Sequence, residues 1–233
     1  QLYGGLGYNP FNPAMAGYAM LLISFPREMT MWYPPEALAE TTLSFLEAFI
    51  VIFTNILPNN LSLDALTMAT PLDTVKTQLE LEKTISEITA ETPLFGTLGG
   101  LGWEWISGGF LLGGVWLIYK RVISWHIPGA LLGSLFTIAA LFYLIDTDHY
   151  ASPVFHLFSG ATMLGAFFIA TDPVSAATTL RGRIYYGIGI GLLIYIIRTW
   201  GGYPDAIAFS VLLMNMVAPT IDNYTQTRVY GHK

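Results

Sequence analysis

Long apolar runs separated by short polar breaks dominate the second half of the chain, and a long polar segment precedes them. A shorter run, from Ala14 to Phe25, follows an Asn- and Pro-rich stretch near the start. At about 1.5 Å per residue it cannot cross a ~30 Å hydrocarbon core, so we predict a half-helix whose N-terminus points into the protein. The later runs predict five membrane spans: Leu98–Tyr119, Ile127–Ile145, Pro153–Thr171, Ile184–Ile197 and Ala206–Ile221. The pattern therefore predicts an all-α polytopic membrane protein with about six membrane segments.

The polar segment, residues 27–98, divides the chain. It holds ten of the sixteen acidic residues and only three basic ones, and its one apolar stretch, Ala48 to Phe53, is too short to span a membrane. We therefore predict an irregular entry and half-helix over 1–26, an extramembrane loop over 27–98, a helical membrane domain over 99–222 and a tail over 223–233.

Basic residues occupy alternate connections between the predicted spans and so set the orientation. They are Lys120 and Arg121, then Arg181 and Arg183, and after the last span Arg228 and Lys233. Basic residues mark the cytoplasmic side of a membrane. The C-terminus is therefore predicted to be cytoplasmic and segment 27–98 extracytoplasmic.

Composition narrows the chemistry. The chain is 53% hydrophobic and 11% charged, whereas soluble domains carry about 25% charged residues. It has no cysteine, which excludes disulfides, thiolate metal sites and cysteine-held iron–sulfur clusters within this chain. The sequence has no basic tract of the kind that binds nucleic acid. It also has neither the Rossmann glycine pattern of dinucleotide sites nor the P-loop pattern of nucleotide sites. A redox role would therefore need an organic cofactor.

The half-helix region has a counterpart later in the chain. Residues 11–26 align without gaps to residues 158–173, with a shared Phe, two shared Ala and the terminal Pro. In the predicted topology the two segments run in opposite directions. Inverted repeats with interrupted helices place binding sites near the membrane midplane, so we predict such a repeat here.

Several strings together carry a family resemblance. They are Gln1-Leu2-Tyr3-Gly4-Gly5-Leu6-Gly7, Asn9-Pro10-Phe11-Asn12-Pro13-Ala14, Ala69-Thr70-Pro71-Leu72-Asp73, Ser159-Gly160-Ala161-Thr162-Met163-Leu164-Gly165-Ala166-Phe167-Phe168, Thr171-Asp172-Pro173-Val174 and Gly201-Gly202-Tyr203-Pro204-Asp205. The chain resembles the D subunits of Rnf ion-translocating electron-transport complexes, which are related to the B subunits of sodium-pumping NADH:quinone reductases. Members have about four more helices upstream, so this sequence is expected to lack an N-terminal part.

The resemblance implies a role, a location and partners. It implies a redox subunit, not catalytic alone, of a bacterial inner-membrane complex that couples ferredoxin and NAD chemistry to Na⁺ or H⁺ translocation. The implied partners are the flavin-carrying RnfG, the membrane proteins RnfA and RnfE, the iron–sulfur and NADH proteins RnfB and RnfC, a flavin transferase during maturation, and lipid. A solute channel or transporter without redox chemistry is the alternative, because inverted repeats and half-helices suit it equally well.

The resemblance also implies a covalent FMN, joined through its phosphate to a threonine by a transferase outside the cytoplasm. The matching pattern here is Asp64, Thr67, Ala69 and the acceptor Thr70, with Met68 where a Gly or polar residue is more usual. An acceptor must be reachable, so we expect flexible backbone at Thr70, with Pro71 keeping a helix from running through it.

A second threonine, Thr162, lies in a tetrapeptide that looks more like the acceptors of related subunits. However, His156 takes the place of the Asp six residues earlier, and Thr162 is inside an apolar run that a soluble transferase could not reach. Ser159, Gly160 and Thr162 at the start of an interrupted helix could instead receive a flavin ring, with Asn12 in the matching part of the first repeat. Relatives also carry a non-covalent riboflavin. A small-residue packing face is the competing interpretation.

Two carboxylates bracket the last predicted span. Asp205 precedes it and Asp222 follows Pro219 near its end. Ionisable groups at membrane depth are functional candidates, so both are candidates for a cation path. Solvated side chains or helix caps are the more frequent roles of such residues at helix ends.

Overall fold

The computed structural model describes residues 10–35, 38–39, 43–54, 56–57, 67–203 and 205–226. The regular structure of these residues is helical, with β-pairing confined to two isolated bridges, which confirms the all-α prediction for this part of the chain. The helices are α1 (Pro13–Ser24), α2 (Pro26–Thr30), α3 (Phe45–Thr54), α4 (Pro71–Glu80), α5 (Ile85–Glu91), α6 (Trp103–Tyr119), α7 (His126–Ile145), α8 (Pro153–Phe158), α9 (Thr162–Leu164), its π-helical continuation Gly165–Ile169, α10 (Leu180–Trp200) and α11 (Ile207–Thr225).

Two helices in the described ranges, α7 and α10, are both long enough and apolar enough to cross a membrane. Helix α10 is longer than the predicted span because the Thr179 side chain accepts from Gly182 N and caps an earlier first turn. Helix α6 is shorter than predicted because residues Phe95 and Gly100 form a bridged turn before it. The number of about six membrane segments stays a prediction.

The third predicted span is broken. Helix α8 ends at Phe158, Gly160 has a φ of 61° in the left-handed region, and the helix resumes at Thr162. This confirms an interrupted helix whose second part begins where the sequence predicted it.

The first half-helix is also present as α1, and its N-cap Asn12 is buried. Asn12 Nδ2 donates to Ile169 O (3.4 Å), so the two segments meet end to end. Their relation as an inverted repeat stays a prediction.

The main core lies between α7, the interrupted helix, α10 and α11. Glycines on α10 allow its close approach to α7: a Cβ on Gly187 would lie 2.7 Å from Ile127 O, and one on Gly191 would lie 2.5 Å from Leu131 O. A Cβ on Gly109 or on Gly133 would meet nothing within 4 Å, so these two glycines are not required by such a contact.

The acidic segment packs against the remaining helices through α4. Leu72 and Val75 of α4 form a small core with Ile88, Ala151 and Phe155. In addition, the Lys76 amine donates to the backbone oxygens of Gly201 and Arg198 at the end of α10. These contacts place the start of α4 beside the break between α8 and α9.

Candidate functional site: a cavity at the interrupted helix

A cavity of about 350 Å³ lies where α1, the start of α4, α6, the interrupted helix and the start of α11 meet. Its wall brings together residues that are far apart in the sequence, among them Thr70, Trp103, Ser159, Gly160, Tyr203 and Asp205. Four of these, Thr70, Ser159, Gly160 and Asp205, are predicted site residues. The structure therefore assembles part of the predicted site in one place.

Thr70 is held by local backbone structure. Met68 pairs with Trp32 in an antiparallel bridge, with Met68 N donating to Trp32 O at 2.8 Å. Thr70 itself is half-buried and is the N-cap of α4, where its Oγ1 accepts from Asp73 N at 3.2 Å. Pro71 occupies the first helical position, where a missing N–H costs nothing. As expected, no helix runs through Thr70, because α4 begins at Pro71 immediately after it. The expected flexibility of this backbone stays a prediction.

The break between α8 and α9 forms the opposite wall. The Ser159 side chain is buried, and its Oγ finds no hydrogen-bond partner among the described residues. Gly160 presents only backbone to the cavity, and Ala161 N donates to Asp205 Oδ2 at 3.1 Å. Ser107 Oγ of α6 donates to Phe158 O at 2.9 Å. Most polar groups freed by the break are paired, whereas the Ser159 hydroxyl is buried without a hydrogen-bond partner among the described residues.

The Arg198 side chain, from α10, hydrogen-bonds to residues at the break between α8 and α9. Its Nη1 donates to His156 O at 2.7 Å, and its Nη2 donates to Ser159 O and Thr162 Oγ1 at 3.1 and 2.9 Å. Nη2 also lies 3.5 Å from Asp205 Oδ1, and the Arg198 side chain is 2% exposed. The sequence analysis did not identify Arg198 as a site residue. A lone cation within an apolar run was the available signal.

Three predicted residues lie elsewhere than on the cavity wall. Thr162 is fully buried, and its Oγ1 donates to His156 O and Ser159 O. Asn12 caps α1 through its Oδ1, which accepts from backbone amides of that helix. Asp222 accepts from Thr178 N and Thr178 Oγ1 at 2.9 Å, so it caps the connection before α10.

The remaining members of the acceptor pattern precede Thr70. Thr67 is half-buried and Ala69 is exposed, and the two flank the bridged Met68. Asp64 lies outside the described residues. The predicted roles of these three residues in cofactor attachment stay predictions.

Two charged groups on α4 are affected by docking. Burial raises the pKa of the Asp73 carboxyl, an effect that Lys76 opposes and Glu80 reinforces. Burial likewise lowers the pKa of the Lys76 amine, against the opposing effect of Glu80 and Asp73. The first turn after Thr70 therefore lies in a partly desolvated environment, where electrostatic interactions are stronger than in water.

The described helices, two of which could cross a membrane, form an α-helical protein built around an interrupted helix. The chain belongs to the NQR2, RnfD, RnfE family, whose model matches residues 1–231. The D subunit of the ion-translocating oxidoreductase complex of Aliivibrio salmonicida is 56% identical over 240 residues, which cover 100% of this chain and 68% of that protein. The corresponding D subunits of Aeromonas hydrophila and Yersinia pestis are 55% and 53% identical over 99% and 100% of this chain, and 68% of each of those proteins is covered. The family resemblance of the sequence is confirmed.

Proposed function

We propose that this chain is a membrane subunit of an ion-translocating oxidoreductase complex and that it carries FMN joined by a phosphodiester to Thr70. It relays electrons within a complex that couples ferredoxin and NAD chemistry to Na⁺ or H⁺ movement, and it is not catalytic alone. The observation that carries the proposal is the position of Thr70, a threonine on the wall of a cavity that also contains the buried, unpaired Ser159 hydroxyl.

The residues of the cavity fit a flavin. A volume of about 350 Å³ lies within the range of roughly 300–1,000 Å³ that is usual for cofactor and ligand pockets. Trp103 and Tyr203 supply aromatic surface, and the absent side chain of Gly160 leaves room beside the break. The Ser159 hydroxyl offers a hydrogen bond that no described residue uses.

Each of these residues would have a specific task. Thr70 Oγ1 would form the ester, and the N-terminus of the ten-residue α4 favours the remaining phosphate charge. Asp73, three residues further on, opposes that charge. Ser159 would orient the ring, while the apolar wall excludes water. A bound flavin supplies one-electron transfer, which is chemistry that amino-acid side chains alone do not provide.

The burial of the two threonines supports Thr70 over Thr162 as the acceptor. Thr70 is half-buried at the edge of the docked segment, while Thr162 is 0% exposed and fully engaged in hydrogen bonds. A transferase must reach the hydroxyl, and the Thr162 side chain is closed to it. We therefore place the acceptor at Thr70 and expect that loop to be extracytoplasmic, with the C-terminus cytoplasmic.

A cation path is part of the proposal. The oxygens of both carboxylates accept hydrogen bonds, but Asp205 lines the cavity with a side chain that is 30% exposed, whereas Asp222 does not line it. Asp205 is therefore the better placed of the two candidates. The proposed neighbours are the flavin-carrying RnfG, the membrane proteins RnfA and RnfE and the iron–sulfur and NADH proteins RnfB and RnfC, with a flavin transferase acting during maturation.

The decisive experiment is flavin detection on the denatured chain. The protein is coexpressed with the transferase, purified, denatured and run on a gel under ultraviolet light. Wild type should give a fluorescent band, and Thr70→Ala should abolish it. Thr84→Ala is the matched control, because Thr84 is likewise an N-cap of a docked helix and accepts from Glu87 N. Flavin released on denaturation would report the proposed non-covalent riboflavin.

Fluorescence of the two proteins decides between the candidate functions. A fluorescent band that persists in Thr70→Ala would place the covalent flavin on another residue. A wild-type band without fluorescence, in protein coexpressed with an active transferase, would refute covalent flavinylation and favour a transporter without redox chemistry.

A further inference from the structure

Arg198 and Asp205 form a charge pair at the cavity wall. Arg198 Nη2 lies 3.5 Å from Asp205 Oδ1, and their side chains are 2% and 30% exposed. Asp205 lines the cavity directly, whereas Arg198 does not. A buried arginine in an apolar helix is costly, which favours a functional reason for its presence.

The guanidinium lies close to the cavity wall at Gly160. A Cβ on Gly160, which lines the cavity, would lie 3.0 Å from Arg198 Nη2 and 3.2 Å from Asp205 Oδ2. The Arg198 guanidinium and the Asp205 carboxylate are therefore both close to any ligand that contacts Gly160. Because the pair is largely buried, solvent and salt screen its field weakly.

We propose that Arg198 and Asp205 set the reduction potential of the flavin in this cavity, with effects of opposite sign. The inference rests on the proposed function. An electron added to a neutral ring brings negative charge, which a nearby cation stabilises and a nearby carboxylate destabilises. Arg198 also positions the break through its hydrogen bonds, so the test must separate charge from structure.

Four variants make that separation. Arg198→Gln removes the positive charge, and Arg198→Lys keeps the charge but loses the planar guanidinium group with its several N–H donors. Asp205→Asn removes the negative charge at nearly constant shape. Arg181→Gln is the matched control, because exposed Arg181 is on the same helix α10, about 25 Å away at ~1.5 Å per residue.

The measurement is a potentiometric titration of the purified complex, with dithionite as reductant and mediator dyes, followed by flavin absorbance. Arg198→Gln should lower the midpoint potential and Asp205→Asn should raise it. Each shift should reach about tenfold in the reduction equilibrium constant, or about 59 mV for one electron. Arg198→Lys should stay closer to wild type than Arg198→Gln, and Arg181→Gln should not shift.

Mass spectrometry of the Thr70 peptide accompanies each titration. Shifts of the same sign in Arg198→Gln and Asp205→Asn, or no shift in either, with the flavin in place, would overturn the inference and leave the proposed function standing. If Arg198→Gln does not assemble, Asp205→Asn alone decides: a potential that does not rise refutes the inference. A bare Thr70 in active wild type would refute the proposed function itself.

Discussion

Replacement of Gly160 by alanine should destabilise the break that forms the cavity wall. Gly160 has a φ of 61°, a conformation that residues with a Cβ rarely adopt. The added Cβ would lie 2.7 Å from Leu72 Cδ1, 3.0 Å from Arg198 Nη2 and 3.2 Å from Asp205 Oδ2. The substitution therefore combines backbone strain with a steric conflict at the junction of α4, α10 and the break.

The two contributions can be sized separately. A left-handed conformation costs a residue with a Cβ roughly 1–2 kcal/mol. Overpacking by one methyl group typically costs about 1–3 kcal/mol. The end of Leu72 can move away, but Arg198 is held by three hydrogen bonds and cannot retreat without breaking them. We therefore expect a destabilisation of about 2–5 kcal/mol, and a fall in the unfolding midpoint of at least about 4 °C for a chain of this size.

Thermal unfolding of the detergent-purified protein, followed by tryptophan fluorescence, measures the effect. Gly202→Ala is the control, because Gly202 has no positive φ and a Cβ there meets nothing within 4 Å. A Gly160→Ala midpoint equal to that of Gly202→Ala would contradict both the left-handed conformation and the close contacts at the break.

Two further substitutions test how the helices are held. Lys76→Met should speed amide hydrogen exchange in α4, because the amine no longer donates to the last carbonyls of α10. Lys83→Met is the control, because it loses a surface ion pair and should not change this exchange. Equal exchange in the two variants would argue against the docking of α4. Gly191→Ala should cost about 1–3 kcal/mol in thermal unfolding, because its Cβ would lie 2.5 Å from a backbone oxygen of α7. Gly133→Ala faces open space, and an equally large loss there would count against this helix contact.

Local sequence patterns were informative about elements. The apolar run from Ala14 to Phe25 predicted a half-helix too short to span, and α1 covers Pro13–Ser24. The Ser159-Gly160 pair predicted the reopening of an interrupted helix, and the break is there. Both signals act over a few residues: run length limits a helix in lipid, and a glycine permits the left-handed turn that ends one.

Local patterns were misleading where capping or docking decided the outcome. Helix α10 begins at Leu180 because Thr179 caps its first turn, and Asp222 in turn accepts from the Thr179 backbone N–H, while hydropathy alone began the span at Ile184. Similarly, Pro71 suggested only an interruption, but it starts a helix that packs against residues Ala151 and Phe155. A cap or a docking contact depends on a partner that a hydropathy pattern does not include.

The sequence by itself determined the helical class, the family and the candidate acceptor Thr70, because these depend on composition, run lengths and short motifs. Only the tertiary structure decided that Thr70, Ser159 and Asp205 share one cavity while Thr162, Asn12 and Asp222 do not line it. It also revealed that the Arg198 guanidinium donates hydrogen bonds to backbone oxygens at the break between α8 and α9. The physical reason is that these contacts join residues tens of positions apart, and their geometry is set by how whole helices pack, which no local pattern specifies.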